Sequence, residues 1–481
     1  MHLDEYTRYD ALGLSELVRR GEVSPAELLD TALEAVARVN PKLNAVIEVR
    51  EADARQTLQA GLVEGPFKGV PFLIKDLALH AANVPTDLGS RLAQGLVFPH
   101  DTTLMAHYRR AGLVTLGRTN TPEFGNNTST EPVLHGPTLN PWDPSRSTGG
   151  SSGGTAAAVA AGIVPMAHGN DGGGSIRIPA AHCALFGLKP TRGRVSVGPD
   201  MGEAIQGIAV EHVLSRSVRD SAAMLDASQG PAVGDPYYAP PPERPYVEEV
   251  LREPRRLRIA LCRAPGSGAP VDKDCLTALE DAARLCASLG HDLIEAAPVY
   301  DDAAMLDALT SVWSSFMALW AGALGAQTGR QAGPETLEAS TWAAVQYGRG
   351  LKASDLQLAS ATFNTVSRAV GAFFQDYDVL LSPTTAIPPP KLGVLDANAP
   401  RTAAEWYRHV FTLNPFTVLY NVTGQPAMNV PLHWNEEGLP IGVQFVGRYA
   451  DEATLFRLAG QLEQARPWSV RRPPIHAAHE S

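Results

Sequence analysis

The spacing of apolar residues changes several times along the chain, and each change marks an element. In "VSPAELLDTALEAVARVNP" (Val23 to Pro41) both ends of a helix are signalled: Ser24 as N-cap, Pro25 at the first helical position, Glu27 closing a capping box, and Asn40-Pro41 at the stop. "GPFKGVPFLIKDLAL" (Gly65 to Leu79) contains a short apolar run, "VPFLI", bounded by glycine and proline, which predicts a buried strand delivering Lys75 and Asp76 at its end. "AHYRRAGLVTLGRTNTPEFG" (Ala106 to Gly125) predicts a helix, a stop at Gly112, and a second strand, "LVTLG". The alanine run in "SSGGTAAAVAAGIVPMAHG" (Ser151 to Gly169) predicts a buried helix of small cross-section that approaches a neighbouring backbone closely. Proline and acid dominate from about 230 to 254, which marks a boundary or an excursion. Beyond it come a strand, a helix and a strand ("LRIALC", "DKDCLTALEDAARLCASLG", "HDLIEA"), then a helical region rich in Trp and Phe from about 300 to 375. Two strand-like segments, "YDVLLSPTT" and "LPIGVQFVG", and a helix from about Asp451 to Arg466 close the chain. The alternation predicts an α/β fold with a mostly parallel sheet, and no internal repeat is present.

At 481 residues the chain leaves one large domain or two open. Its 44% hydrophobic and 19% charged residues are a globular balance. A formal net charge of −11 disfavours nucleic acid and anionic lipid as partners. The one dense basic cluster, "LREPRRLR" (251 to 258), reads as a solvated lead into a strand. "MHLDEYTRYD" has neither a basic leader nor the apolar run of a signal peptide, and no stretch is expected to reach the roughly 20 apolar residues of a membrane span, so a cytoplasmic location is expected. Cys183, Cys262, Cys275 and Cys286 lack metal-ligand spacing and are expected to be buried free thiols.

Three pieces of the sequence could carry chemistry. Lys75 is one of only seven lysines and abuts an apolar strand, where burial can lower its pKa far enough for it to act as a base; a surface lysine or an ion pair with Asp76 is the plainer reading. "STGGSSGGTAAA" (Ser147 to Ala158) sets Ser151 and Ser152 between two glycine pairs ahead of a helix. Its "GGSSG" fits the G-x-S-x-G nucleophile elbow, but the polar, proline-broken "NPWDPSRS" in front is no strand, and the P-loop, Rossmann and S-x-x-K patterns all fail. "GNDGGGSIRIPA" (Gly169 to Ala180) reads either as a flexible loop or as a backbone bent to converge its N–H groups near Ser175.

Together these pieces resemble the signature of the amidase signature family. The resemblance is carried by "GGSSGGTAAAVAAGIVPMAHGNDGGGSIRIPA" (Gly149 to Ala180), by the 24-residue spacing of Ser151 and Ser175, by Lys75 at the end of "GVPFLIKD", and by the flanking "GRTNTPEFG" and "GLPIGVQFVG". It implies a single domain over 1–481 with a central mixed, mostly parallel twisted sheet covered by helices on both faces. A signature core would span about 65–220, a variable substrate-determining region about 230–375, and C-terminal strands and a helix about 376–470. It also implies a Ser-Ser-Lys relay of Lys75, Ser151 and nucleophilic Ser175, with a cis Gly150-Ser151 bond and an oxyanion hole from the amides of Gly172, Gly173, Gly174 and Ser175. Ser152 is expected to support Lys75 or the turn, Asp171 and Arg177 to brace the loop as a pair, and His168 and His182 to pack or hydrogen-bond. No metal or organic cofactor is required.

The family spans hydrolases of fatty acid amides, peptide amides, anilides and cyclic oligoamides, and the A subunit of glutamyl-tRNA amidotransferase. Ile178 in "SIRIPA" leans away from the amidotransferase subunit, and the wording "NPWDPSRSTGGSSGG" leans toward the cyclic-oligoamide hydrolase group. The expected activity is hydrolysis of small uncharged amides, anilides, oligoamides or carbamates, with a small-molecule amide as partner and a homodimer left open. Gly125 and Asn126 are expected near the substrate, and Trp313 and Phe316, with Trp320, on an apolar pocket wall; core packing is the plainer role for at least two of these aromatics. An amidotransferase component and a non-catalytic binding protein that keeps the motif are the alternatives.

Overall fold

The computed structural model describes residues 1–479. Three strands in its N-terminal part, β1 (Val46–Val49), β2 (Pro71–Lys75) and β3 (Val114–Thr119), form a small sheet in the order β1-β3-β2. The remaining main strands are β4 (Met166–Asp171), β5 (Phe186–Lys189), β6 (Val210–Ser215), β7 (Arg258–Leu261), β8 (Asp292–Glu295), β9 (Val379–Pro383), β10 (Ala427–Trp434) and β11 (Pro440–Gly447). They make an eight-stranded sheet in the order β8-β7-β9-β11-β10-β5-β6-β4.

The sheet is mixed, as expected, but its balance differs from the expectation of mostly parallel pairing. Only β8 with β7 and β7 with β9 run parallel, and the other neighbours in this sheet are antiparallel. The strand-helix-strand unit legible at 258–295 is a parallel crossover. The strands β4, β5, β6, β10 and β11 instead pair antiparallel with one another.

Period-two alternation splits the apolar residues of the central strands between two cores. Val379, Leu381, Val443 and Phe445 pack into one cluster, with Leu455 and Phe456 of the helix Glu452–Ala465. Leu380 and Val446 face the other, with the helices Asp302–Thr328, Ala339–Arg349 and Ala353–Phe373. Helices therefore cover both faces. Asp302–Thr328 is long and apolar enough in composition to cross a bilayer, contrary to the expectation that no stretch reaches that size; half of its apolar window is buried inside the fold.

The predicted helix runs as Pro25–Leu43 with the Ser24/Glu27 capping box formed. It does not stop at Asn40-Pro41: Pro41 sits in the last turn and the helix ends at Asn44, which adopts a left-handed cap. The Asn40 side chain instead binds the amides of Ala45 and Val46, tying the helix end to β1. All four cysteines are free and buried. Arg255 and Arg256 of the basic cluster are exposed and paired to Asp378 and Asp292.

The alanine-rich helix Gly153–Ala160 is buried at every residue. Its cross-section decides what can pass beside it: a Cβ on Gly154 would lie 2.4 Å from Asn120 N, 2.6 Å from Asn120 O and 2.7 Å from Ala45 O, all main-chain atoms. Gly154→Ala is expected to lower stability by about 1–3 kcal/mol, read as a lower denaturant midpoint with unchanged slope; a neutral midpoint would show that the backbone gap is wider than drawn.

Candidate active site

Lys75 ends β2 with its side chain fully buried. The edge of the small sheet meets the edge of the large one here, joined by side chains in place of a strand ladder. His168 on β4 accepts the Lys75 backbone N–H at Nδ1 (3.2 Å), and Asn170, two residues on, donates Nδ2 to Leu77 O (3.1 Å). With Nδ1 accepting, the His168 proton sits on Nε2 and faces Glu211 Oε2 at 2.7 Å. His168 is thus a clasp between sheets, in keeping with the structural role expected of it.

The Lys75 amine lies 2.6 Å from Ser151 Oγ, 2.5 Å from Asn170 Oδ1 and 3.1 Å from Ser152 Oγ. Burial pushes its pKa down to about 7, against the opposing pull of the Glu211 and Asp171 carboxylates. The proton accounting then fixes the direction of each bond. Asn170 Oδ1 can only accept, and Ser152 Oγ directs its own proton to Asn170 O (3.2 Å), so both receive N–H from the amine. A neutral lysine has just two such protons. Its lone pair is left facing Ser151, whose hydroxyl donates into it.

Ser151 follows a cis Gly150-Ser151 peptide bond, as the family resemblance implies. Ser175 is buried to within 6% and reaches the same cleft as Ser151, and its carbonyl accepts from Ser152 N at 3.2 Å. No hydrogen bond joins the two hydroxyls of Ser151 and Ser175 among the described residues.

The glycine run divides its labour. Gly174 N donates to Asp171 Oδ1 at 2.7 Å, so its amide is spent on the loop and is not free for a ligand, which corrects the expectation that it joins an oxyanion hole. Its need for glycine is conformational: φ is +131°, and a Cβ would come within 2.5 Å of Ile178 Cδ1 and Thr417 Oγ1. Among the described residues no group accepts from the amides of Gly172, Gly173 or Ser175.

Asp171 and Arg177 brace this loop from behind, both with wholly buried side chains. Arg177 places all five of its N–H donors: Nε and one Nη2 proton on Asp171 (both 2.9 Å), the other Nη2 proton on Asn421 Oδ1 (2.6 Å), and Nη1 on Thr417 O (2.9 Å) and Gln444 Oε1 (2.7 Å). Burial alone would raise the Asp171 carboxyl, but the Arg177 charge and these bonds hold it well below the usual range. Asp171 also accepts from the amides of Gly174, Ile176 and Arg177, so one carboxylate sets the turn that presents Ser175.

The cleft in front spans about 470 Å³, counting the part open to solvent. Trp313, Phe316 and Trp320 all line it, where core packing was the plainer role for two of them; Trp313 serves both, buried to within 6%. Gly125 lies on the wall with φ +68°, and a Cβ there would come 2.7 Å from Leu77 Cδ2. Asn126 departs from expectation: it is buried off the lining, its carboxamide without a hydrogen-bond partner, while its carbonyl accepts from Trp406 Nε1 at 3.0 Å. Gly173 is likewise behind the surface, against Phe411. His182 is buried with both ring nitrogens unbonded, and burial pushes its pKa down to about 3. Asn170, Glu211 and Asn421 escaped the sequence reading; for Asn170 a signal existed, since strand alternation in "MAHGND" sets it on the same side as His168.

Comparison with known proteins follows the same lines. The family model described as Amidase matches residues 27–456. The chain is 38% identical over 479 residues to the 6-aminohexanoate-cyclic-dimer hydrolase of Paenarthrobacter ureafaciens, covering 97% of this chain and 96% of that one. A solved 6-aminohexanoate cyclic dimer hydrolase superposes with a TM-score of 0.93 at 37% identity, covering 98% and 99% of the two chains. A bacterial aryl acylamidase of the amidase signature enzymes superposes with a TM-score of 0.88 at 26% identity, over 98% and 99%.

The Arg177 pair generates a stability prediction. Arg177→Leu strands the Asp171 charge in the interior and is expected to cost about 3–5 kcal/mol in chemical denaturation; a loss under about 1 kcal/mol would show that water reaches the pair.

Proposed function

This chain belongs to the amidase family, and from that premise we propose that it is a stand-alone hydrolase of small uncharged amides working through an acyl-enzyme on Ser175. That it hydrolyses amides follows from the family and its cyclic-dimer hydrolase relatives. The roles of the residues and the substrate class are our reading, and the observation that carries it is the buried Lys75 amine with its lone pair turned to Ser151.

In this reading neutral Lys75 takes the proton of Ser151 as Ser151 takes that of Ser175, and Ser175 Oγ forms a bond to the amide carbon. The carbonyl electron pair moves onto oxygen, where the amides of Gly172 and Ser175 on the cleft wall receive it; Gly173 lies behind that wall and Asp171 already holds the Gly174 N–H. When the tetrahedral intermediate collapses the C–N bond breaks and the proton on Lys75 returns through Ser151 to the leaving nitrogen. Water then adds to the acyl carbon, gives its proton to the same relay, and releases the acid with Ser175 regenerated. Ser152 and Asn170 orient the amine and stay unchanged throughout.

Phe124, Ile205, Trp313, Phe316 and Trp320 give the cleft an apolar wall. A charged substrate would shed its water there with little in exchange, which supports uncharged aliphatic amides, anilides and linear or cyclic oligoamides. The 6-aminohexanoate cyclic dimer that names the relatives is a member of that class, and a stand-alone enzyme is favoured over an amidotransferase component by the 37–38% identity to those relatives.

Turnover depends on the uncharged form of Lys75, so kcat/KM is expected to rise with pH through about 7 and level off above it. A pH profile that is flat from 5 to 9 would remove Lys75 as the base. Lys75→Ala and Ser151→Ala are each expected to lower kcat by at least about 10²-fold with little change in substrate binding. A fluorophosphonate should give one adduct by mass spectrometry, lost in Ser175→Ala; labelling that persists in that variant places the nucleophile elsewhere, and silence on a panel of anilides, short amides and urethanes ends the stand-alone reading.

A further inference from the structure

Beside the cleft, three chain segments interlock and bring two imidazoles and a carboxylate together. His80 follows β2, His100 precedes the helix Thr103–Arg110, and Asp200 lies on the segment after Pro199. Thr102 N donates to His80 O (3.1 Å) and Thr103 N to Gly198 O (2.9 Å), so the segments are fixed to one another by main-chain bonds. His100 Nε2 stands 2.9 Å and His80 Nε2 3.4 Å from the two oxygens of Asp200, and the three donor atoms all lie within 4.8 Å of one another.

His80 is the informative member. Its side chain is only 4% exposed, and its ring stacks on Phe98 with centroids 3.9 Å apart and planes 16° from parallel, which holds it in one orientation. Its Nε2 is nevertheless buried without a hydrogen bond, because the approach to Asp200 is misaligned for one. A buried ring nitrogen left unbonded, aimed at a second histidine and a carboxylate, is an uncompensated loss for an apoprotein and a prepared ligand for a cation.

We propose that His80, His100 and Asp200 bind one divalent transition-metal ion of the zinc class. Imidazole with a single carboxylate is the donor set that such ions take, whereas magnesium and calcium prefer all-oxygen shells. Metal–ligand bonds of about 2.0–2.1 Å in a tetrahedron set its ligand atoms about 3.3 Å apart, and the separations of 2.9 and 3.4 Å fall on either side of that value. His100 and Asp200 are partly exposed, at 43% and 35%, which leaves solvent to complete the coordination. The ion is a cross-link and takes no part in amide chemistry. Ala78, two residues before His80, and Met201, next to Asp200, both line the substrate cleft, so the clamp braces its rim.

The test uses the full chain stripped of metal and titrated with zinc ion alone, followed by calorimetry and thermal melting. One equivalent is expected to bind and to raise Tm, and cobalt(II) in its place should give the visible absorption of a low-symmetry site. His100→Ala and Asp200→Asn, both reaching the surface, should melt like the parent without metal and lose at least about tenfold in affinity together with the Tm rise. Absence of saturable binding, binding unchanged in both variants, or an equal response to magnesium would each overturn the assignment and leave an ordinary histidine–aspartate contact. None of these readouts depends on turnover, so failure here and failure of the amidase reading are distinguishable.

Discussion

The rest of the site depends on keeping one amine uncharged in the interior. Taking a lysine out of water penalises its ammonium form, and the fold deepens that penalty by surrounding the Lys75 nitrogen with neutral oxygens only: two serine hydroxyls and one carboxamide. A carboxylate in the place of Asn170 would return the pKa toward its free value and the lone pair would be lost. Carboxylates are nearby, at Asp171 and Glu211, but each is committed elsewhere, the first to Arg177 and the second to His168. Both carboxylates still pull the Lys75 pKa upward, but the Arg177 charge beside Asp171 offsets part of that pull, and burial prevails.

This arrangement explains why the chemistry sits between two sheets. A strand ladder from β2 to β4 would have occupied the main-chain groups of Lys75 and Leu77, whereas here His168 and Asn170 bind them with side chains. The gap so created is wide enough for the Gly153–Ala160 helix, every residue of it buried, to deliver Ser151 and Ser152 at its start. Small residues are required by that geometry: the helix passes main-chain atoms at distances where even Gly154 has no room for a methyl group.

Much of this was legible in the residues, and the reasons are local. Capping at Ser24, the apolar run ahead of Lys75 and the strand-helix-strand unit near 258–295 all state their structure within a few positions, and the structure follows them. The approach of Lys75 to Ser151 and the Asp171–Arg177 pair were readable because the long composite motif is specific. What was not legible required partners distant in sequence. The antiparallel balance of the large sheet comes from pairings such as β10 with β5, joined across more than two hundred positions. Whether Gly174 N is free depends on where the Asp171 side chain turns, and Asn126, expected near the substrate, has Trp406 as its neighbour across the fold. Pro41 forfeits the one main-chain bond its N–H would have given to the preceding turn, yet the helix continues to Leu43 because Asn44 closes it with a left-handed cap whose N–H reaches Asn40 O.

The unbonded hydroxyl of Ser175 is consistent with the same logic. In the proposed mechanism a Ser175 locked to Ser151 would have to break that bond as its oxygen swings toward a carbonyl carbon, whereas one held only through its main chain can turn while Lys75 and Ser151 stay fixed. Rigidity is concentrated one layer behind, where Arg177 fills all five donor positions and Asp171 accepts from three backbone amides of one loop, those of Gly174, Ile176 and Arg177. The proposed mechanism thus separates two demands that a single charged triad would combine: the buried Asp171–Arg177 pair sets the position of Ser175, and the uncharged Lys75–Ser151 pair would move its proton. On that reading pH acts on the Lys75 amine, whose pKa burial lowers to about 7, while the Asp171 carboxyl behind it is held well below the usual range, against its burial, by the Arg177 charge.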